Sequence, residues 1–242
     1  MIETQLDLTT ADGEMPTFIV HPEEDGPHPV VLFLMDAPGM REELRQMSRR
    51  LASAGYYVML PMLYYRAVRE FDVFESGERE RMFELMENVT NARAASEAGG
   101  GFVHAVADPA ADAGQVGTVG YCMSGPFTVI IAADHADRVK SAASIHGVRL
   151  ITDADDSPHD RLGDIPGELY IGCAETDHWA PPEMVDAFEA AITEAGANGR
   201  VEWYPDTDHG FAFAERPAYV RDASERHWER LHSLFRRTLH TV

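Results

Sequence analysis

Lysine is almost missing from this chain. Of twenty basic residues only Lys140 is a lysine, and they stand against 41 Asp and Glu, for a formal charge of −21 over 242 residues. A surface this acidic repels phosphate backbones and anionic bilayers, which argues against nucleic-acid and membrane partners. Arginine-favouring codon usage and a salt-rich cytoplasm would each produce the lysine shortage. Cysteine is scarce too: Cys122 and Cys173 cannot make a disulfide framework, and their spacing is not that of a metal site. No run approaches the roughly 18 apolar residues of a membrane helix. The opening Met1-Ile2-Glu3-Thr4 lacks the basic and apolar regions of a signal peptide. Internal repeats and long Ser/Gly linkers are absent, though the length alone leaves the domain count open. The expectation is a cytoplasmic enzyme.

What is present is an alternation of short apolar runs with helical periodicity, the mark of a mostly parallel sheet flanked by helices. Strands are predicted at Thr17–Val20, Val30–Leu34, Tyr57–Leu60, Val116–Val119, Ala142–Ile145, Leu169–Cys173 and Val201–Tyr204. Val30–Leu34 is continuously apolar, as in a strand covered on both faces. Leu44, Met47, Leu51 and Ala54 predict a helix stopped by Gly55, and Val185, Phe188, Ile192 and Ala195 one that runs from Pro181-Pro182 to Gly196. Val220, Ala223, Trp228, Leu231 and Phe235 form a last stripe. Glu78–Ala107 reads as two helices interrupted by Gly99-Gly100-Gly101, and acid-rich Thr152–Asp164 as an exposed loop.

The strongest chemical signal is Val116–Gly125. An apolar strand runs into Cys122, small residues flank it at Gly120, Ser124 and Gly125, and Phe127–Ala133 can continue as a helix. This is the strand–turn–helix pattern of a nucleophile elbow, whose turn is too tight for large neighbours. The helix start favours a thiolate, and the backbone N–H of Met123 would serve as half of an oxyanion hole. Ser124 sits past the apex and Cys173 inside a strand, so neither suits the nucleophile. Among eleven histidines, His209 stands out, because Asp206–Phe211 directly follows an apolar strand and should lie at the carboxyl edge of the sheet. His227, His232 and His240 fall on the last helix, His21, His28 and His159 read as loop residues, and His104 has no motif beside it. The acid of a triad should follow another strand between nucleophile and base. Leu169–Cys173 is that strand and Asp177 that acid, with Glu175 the alternative; it would fix the imidazole tautomer.

With these residues the chain resembles the dienelactone hydrolase (carboxymethylenebutenolidase) family over nearly its whole length. The resemblance is carried by Gly120-Tyr121-Cys122, Gly172–His178 and Asp208-His209-Gly210-Phe211. It implies one α/β-hydrolase domain over residues 1–242, no cofactor, no metal, and Cys122, Asp177 and His209 as the triad. It further implies that Asp36 stands where the family carries an acid, usually glutamate, that holds the thiol neutral until substrate arrives. The next N–H, that of Ala37, would complete the oxyanion hole. Dienelactone-cleaving members hold the substrate carboxylate with two arginines. One matches Arg79 or Arg81; at the other position this chain has Phe213, with Arg216 three residues beyond. Tyr64, Tyr65, His146, Phe211 and Phe213 are expected to line a larger, more apolar cleft. The expected function is hydrolysis of a small-molecule ester or lactone. Acyl transfer, cleavage of another bond on the same triad, and a non-catalytic binding role are the alternatives.

Overall fold

The computed structural model describes residues 1–240. Eight strands form one sheet in the order β1-β2-β4-β3-β5-β6-β7-β8. They are β1 (Ile2–Thr10), β2 (Gly13–His21), β3 (His28–Leu34), β4 (Tyr57–Pro61), β5 (Ala111–Tyr121), β6 (Val139–Ile145), β7 (Glu168–Thr176) and β8 (Gly199–Asp208). β1 and β2 pair antiparallel, as do β2 and β4, and every later pair is parallel. The carboxyl ends of β3 to β8 therefore open onto one rim. Lys140, second residue of β6, stands at the opposite, amino rim, where its Nζ donates to the Asp137 carbonyl at 2.8 Å.

All seven predicted strands are found. β3 is buried along its whole length, which explains its unbroken apolar run. β1 escapes the sequence reading because it is an edge strand with only Leu8 fully buried; the register that seats it comes from the turn at Gly13, φ 129°. His21 and His28 are strand residues, not loop residues, and are buried.

Among the described residues seven helices complete the layers: α1 (Glu42–Ala52), α2 (Val73–Ser76), α3 (Arg79–Glu87), α4 (Asn91–Ala107), α5 (Gly125–Asp134), α6 (Pro182–Ala195) and α7 (Arg221–Leu239). α6 ends on Gly196 in the left-handed conformation, as its sequence predicts. The break in Glu78–Ala107 lies at Asn88–Thr90, not at the three glycines, and Thr90 caps α4 through the Arg93 N–H. The glycines stay helical and permit close approach, for a Cβ on Gly100 would press on the Thr9 carbonyl. The acid-rich loop is partly ordered as a 3-10 turn over Pro158–Asp164, which buries Pro158 and Leu162.

Candidate active site

β5 ends at Tyr121 and the chain turns through a short 3-10 segment, Cys122–Ser124, into α5. Cys122 takes φ 54°, a left-handed conformation that costs a non-glycine residue on the order of 1 kcal/mol. The surroundings enforce it. A Cβ on Gly120 would collide with the Ser124 carbonyl, and one on Gly125 with the Gly147 backbone and the Ser144 hydroxyl. Ser124 is fully buried; its Oγ accepts from the Tyr121 N–H at 3.0 Å and faces the Leu34 carbonyl at 3.2 Å, so it staples the turn. Val148 N–H donates to the Cys122 carbonyl at 3.1 Å, tying the elbow to the loop after β6.

Asp177 and His209 follow β7 and β8 at the same rim. Asp177 Oδ2 meets His209 Nδ1 at 2.6 Å, while Oδ1 accepts the N–H groups of Trp179 (2.9 Å) and Ala180 (3.1 Å). Both carboxylate oxygens are thus satisfied, and the ring is held with Nε2 free. That Nε2 is buried and has no hydrogen-bond partner among the described residues. Burial pulls the imidazole's pKa down, but the bond to Asp177 and the neighbouring Cys122 thiol outweigh it and push the pKa up to about 9. Glu175, the alternative acid, is exposed and accepts the Asp206 N–H at 2.6 Å, away from the imidazole. Cys173 is core, its pKa pushed up to about 12 by burial.

Asp36, after β3, is fully buried. Its oxygens do not hydrogen-bond the thiol; they are taken by two arginines. Arg41 Nη1 donates to Oδ1 at 2.5 Å and Arg216 donates to Oδ2. Arg41 also binds Glu43 Oε2 at 2.8 Å, so the buried group has two charges of each sign. Phe213 carries both guanidinium groups over its ring, at 4.9 Å for Arg41 and 4.6 Å for Arg216. Arg41 carried no sequence signal, since nothing local marks a surface-type residue as buried. Trp179 was equally unmarked; it is half exposed, and its ring lies 6.2 Å from that of Phe83 on α3.

The expected cleft residues divide. Phe211 and Phe213 are fully buried and pack around Tyr121 and His146, so they form the floor of the site and not its walls. Tyr65 points away: its hydroxyl pairs with Thr10 Oγ1 at 2.7 Å in the β1–β2 hairpin. Tyr64 is also buried, its hydroxyl 2.8 Å from the Ala37 carbonyl. His146, fully buried at φ 39°, lies edge-on to His209 with ring centroids 4.7 Å apart. Burial, then the positive charges of His209 and Arg216, keep it neutral. Arg81 is held on its own helix by Glu84 at 2.8 Å, whereas Arg79 is exposed and lies 5.8 Å over Phe83, on the side of Trp179. No group of three or more His, Cys, Asp or Glu among the described residues could hold a metal ion.

The sheet order, the strained elbow after the fifth strand and the two loops that meet it make this an α/β-hydrolase-fold enzyme. A profile of the dienelactone hydrolase family matches residues 15–239, and the chain belongs to that family. A Methylorubrum extorquens protein, provisionally named carboxymethylenebutenolidase, is 27% identical over 98% of this chain and 81% of its own length. The Pseudomonas putida carboxymethylenebutenolidase is 26% identical, with 93% and 92% covered. A solved dienelactone hydrolase structure from Klebsiella pneumoniae, its assignment likewise provisional, superposes with a TM-score of 0.88 at 26% identity, over 97% of this chain and 98% of that one. The protein is a hydrolase of ester or lactone bonds. No helix among the described residues is long and apolar enough to cross a membrane.

Proposed function

We propose that Cys122, His209 and Asp177 hydrolyse a neutral carboxylic ester or lactone through a thioester intermediate. The observation that carries this reading is the 2.6 Å bond from Asp177 to His209 Nδ1, which leaves a buried, unpartnered Nε2 beside the thiol at the strained elbow.

The imidazole's raised pKa favours proton transfer from Cys122, which gives a thiolate–imidazolium pair, and the start of α5 adds partial positive charge. The thiolate attacks the carbonyl carbon, and the oxygen takes up the negative charge beside the N–H groups of Ala37 and Met123. When the C–O bond breaks, the leaving alkoxide takes the proton from His209 and the thioester remains. Neutral His209 then removes a proton from water, the resulting hydroxide attacks the thioester, and collapse expels the thiolate and the acid product. His209 keeps the proton, so the ion pair is restored. Asp177 stabilises the imidazolium without taking its proton.

Neutral substrates are favoured because Asp36 already occupies both the buried Arg41 and the partly buried Arg216. Arg79 remains as a cation at the rim, too exposed to hold a carboxylate tightly. In this reading Asp36 acts on the thiol through its charge alone, and the two arginines offset most of that charge.

The test is Cys122→Ala and the parent on a panel of aryl acetates and lactones, with intact-mass detection of the acyl-enzyme. The expected result is an adduct on the parent alone and a loss of at least about 10³-fold in kcat/KM with an unchanged fold. Activity within tenfold of the parent would remove Cys122 from the mechanism.

A further inference from the structure

The two candidate oxyanion donors sit on separate loops. Ala37 follows β3 and Met123 follows β5, each three residues past the last pair of that ladder, Leu34 with Gly120, so the pairing itself stops short of both N–H groups. A third loop, after β4, bridges them. The Tyr64 hydroxyl donates to the Ala37 carbonyl at 2.8 Å and lies 3.3 Å from Met123 Sδ.

Tyr64 is built as a fixed strut. Its ring is 2% exposed and meets Phe71 edge-on at 5.9 Å. Its own carbonyl accepts the N–H groups of Ala67 (2.9 Å) and Val68 (3.0 Å), which lock the backbone it springs from. Burial, reinforced by the nearby acidic groups of Asp36 and Cys122, raises the phenol's pKa, so the hydroxyl stays a donor throughout the working pH range. At the far side of Ala37, Pro38 fixes one torsion, and Gly39 N–H closes a turn onto the Asp36 carbonyl at 3.1 Å.

We infer that Tyr64 is a positioning residue for the oxyanion hole: its hydroxyl clamps Ala37 against Met123 and sets the separation of their N–H groups. Such a hole works only when its donors lie about 2.7–3.1 Å from the site of developing charge, so a strut that fixes their spacing acts on the transition state and hardly on the bound ester. The inference rests on the ester-hydrolysis reading above.

Tyr64→Phe tests it, with Tyr65→Phe as a matched control that loses a hydroxyl bond to Thr10 in the distant hairpin. Steady-state kinetics on a neutral aryl acetate, inhibition by a trifluoromethyl ketone and alkylation of Cys122 by iodoacetamide are read together. The ketone adds the thiolate and places its oxyanion in the hole. For Tyr64→Phe, kcat should fall about tenfold with KM within twofold, and the ketone's inhibition constant should rise by the same factor. Alkylation, which develops no oxyanion, should keep the parent rate. Tyr65→Phe should match the parent in all three. An unchanged kcat, or a fall in kcat without a matching loss of ketone affinity, overturns the assignment. If Tyr64→Phe does not fold, Met123→Leu keeps the volume and removes the sulfur arm; a parallel loss in kcat and ketone affinity supports the strut, and unchanged ketone affinity overturns it. A parent chain inactive on every ester and lactone would remove the hydrolase reading and the strut together, whereas an active parent with an indifferent Tyr64→Phe removes the strut alone.

Discussion

At the scale of single residues, the site depends on how completely each polar atom is used. Asp177 has both oxygens engaged, and that fixes His209 in one tautomer. Asp177→Asn keeps the shape but removes the charge that supports the imidazolium. The alkaline limb of kcat/KM is expected near pH 9 in the parent, where His209 gives up its proton, and at lower pH in the variant. A pH–rate profile on one neutral ester checks this; coincident limbs would show that Asp177 does not tune the base. Asp36 plays the opposite part, since its charge holds two guanidinium groups, that of buried Arg41 and that of partly buried Arg216. Asp36→Ala leaves Arg41 and Arg216 facing each other without their shared partner, which should cost about 3–5 kcal/mol in denaturant unfolding. The same change frees Arg216, so the variant should gain on a carboxylated lactone relative to a neutral aryl acetate.

Among the elements, α4 contains a group with a pH signature. Glu97 is 2% exposed, and burial pushes its pKa up to about 7 even though Arg66 pulls it down. The folded protein therefore binds a proton that the unfolded chain releases, between the ordinary carboxylate value near 4.5 and about 7. Stability should fall as pH rises through that window. Glu97→Gln should raise the unfolding free energy at pH 8 by on the order of 2 kcal/mol, read from denaturant unfolding, and do little at pH 4.5, while Arg66 keeps Asp12 at 2.6 Å. Equal shifts at both pH values would assign the effect to packing. α4 also shows where sequence reading fails. Three consecutive glycines look like a break, but their neighbours are remote in sequence: His135 for Gly99, Thr9 and Thr10 of β1 for Gly100, and Met59 of β4 for Gly101. The central strands were legible because burial on both faces demands an unbroken apolar run; β1, with one face wet and few buried residues, offers no such run.

Over the whole molecule, Cys122, Asp177 and His209 could be singled out as candidates because each stands at or just after the end of a strand, and the strand ends share one rim. The contacts that finish the site were not legible. Arg216 to Asp36, Tyr64 to Ala37 and Trp179 to Phe83 on α3 join segments remote in sequence whose meeting depends on the strand order. Phe213 shows the cost of reading by position: it was expected to line the cleft, yet it is buried beneath the site with Arg41 and Arg216 stacked on it. The charge of −21 acts at this scale as well, since it repels anionic substrates before they arrive. kcat/KM should therefore be lower for a carboxylated lactone than for a neutral aryl acetate, and added salt should raise the former selectively. A hundredfold preference for the carboxylated lactone at low salt would contradict both the occupied arginines and the repelling surface.

Lys140 gives the molecule a handle. It is the one side-chain amine in the sequence, and it stands at the amino rim, with the whole height of the sheet between it and Cys122. An aldehyde- or succinimide-coated support would thus capture the enzyme from one side only, and every immobilised copy would stand with its catalytic mouth turned to the solution.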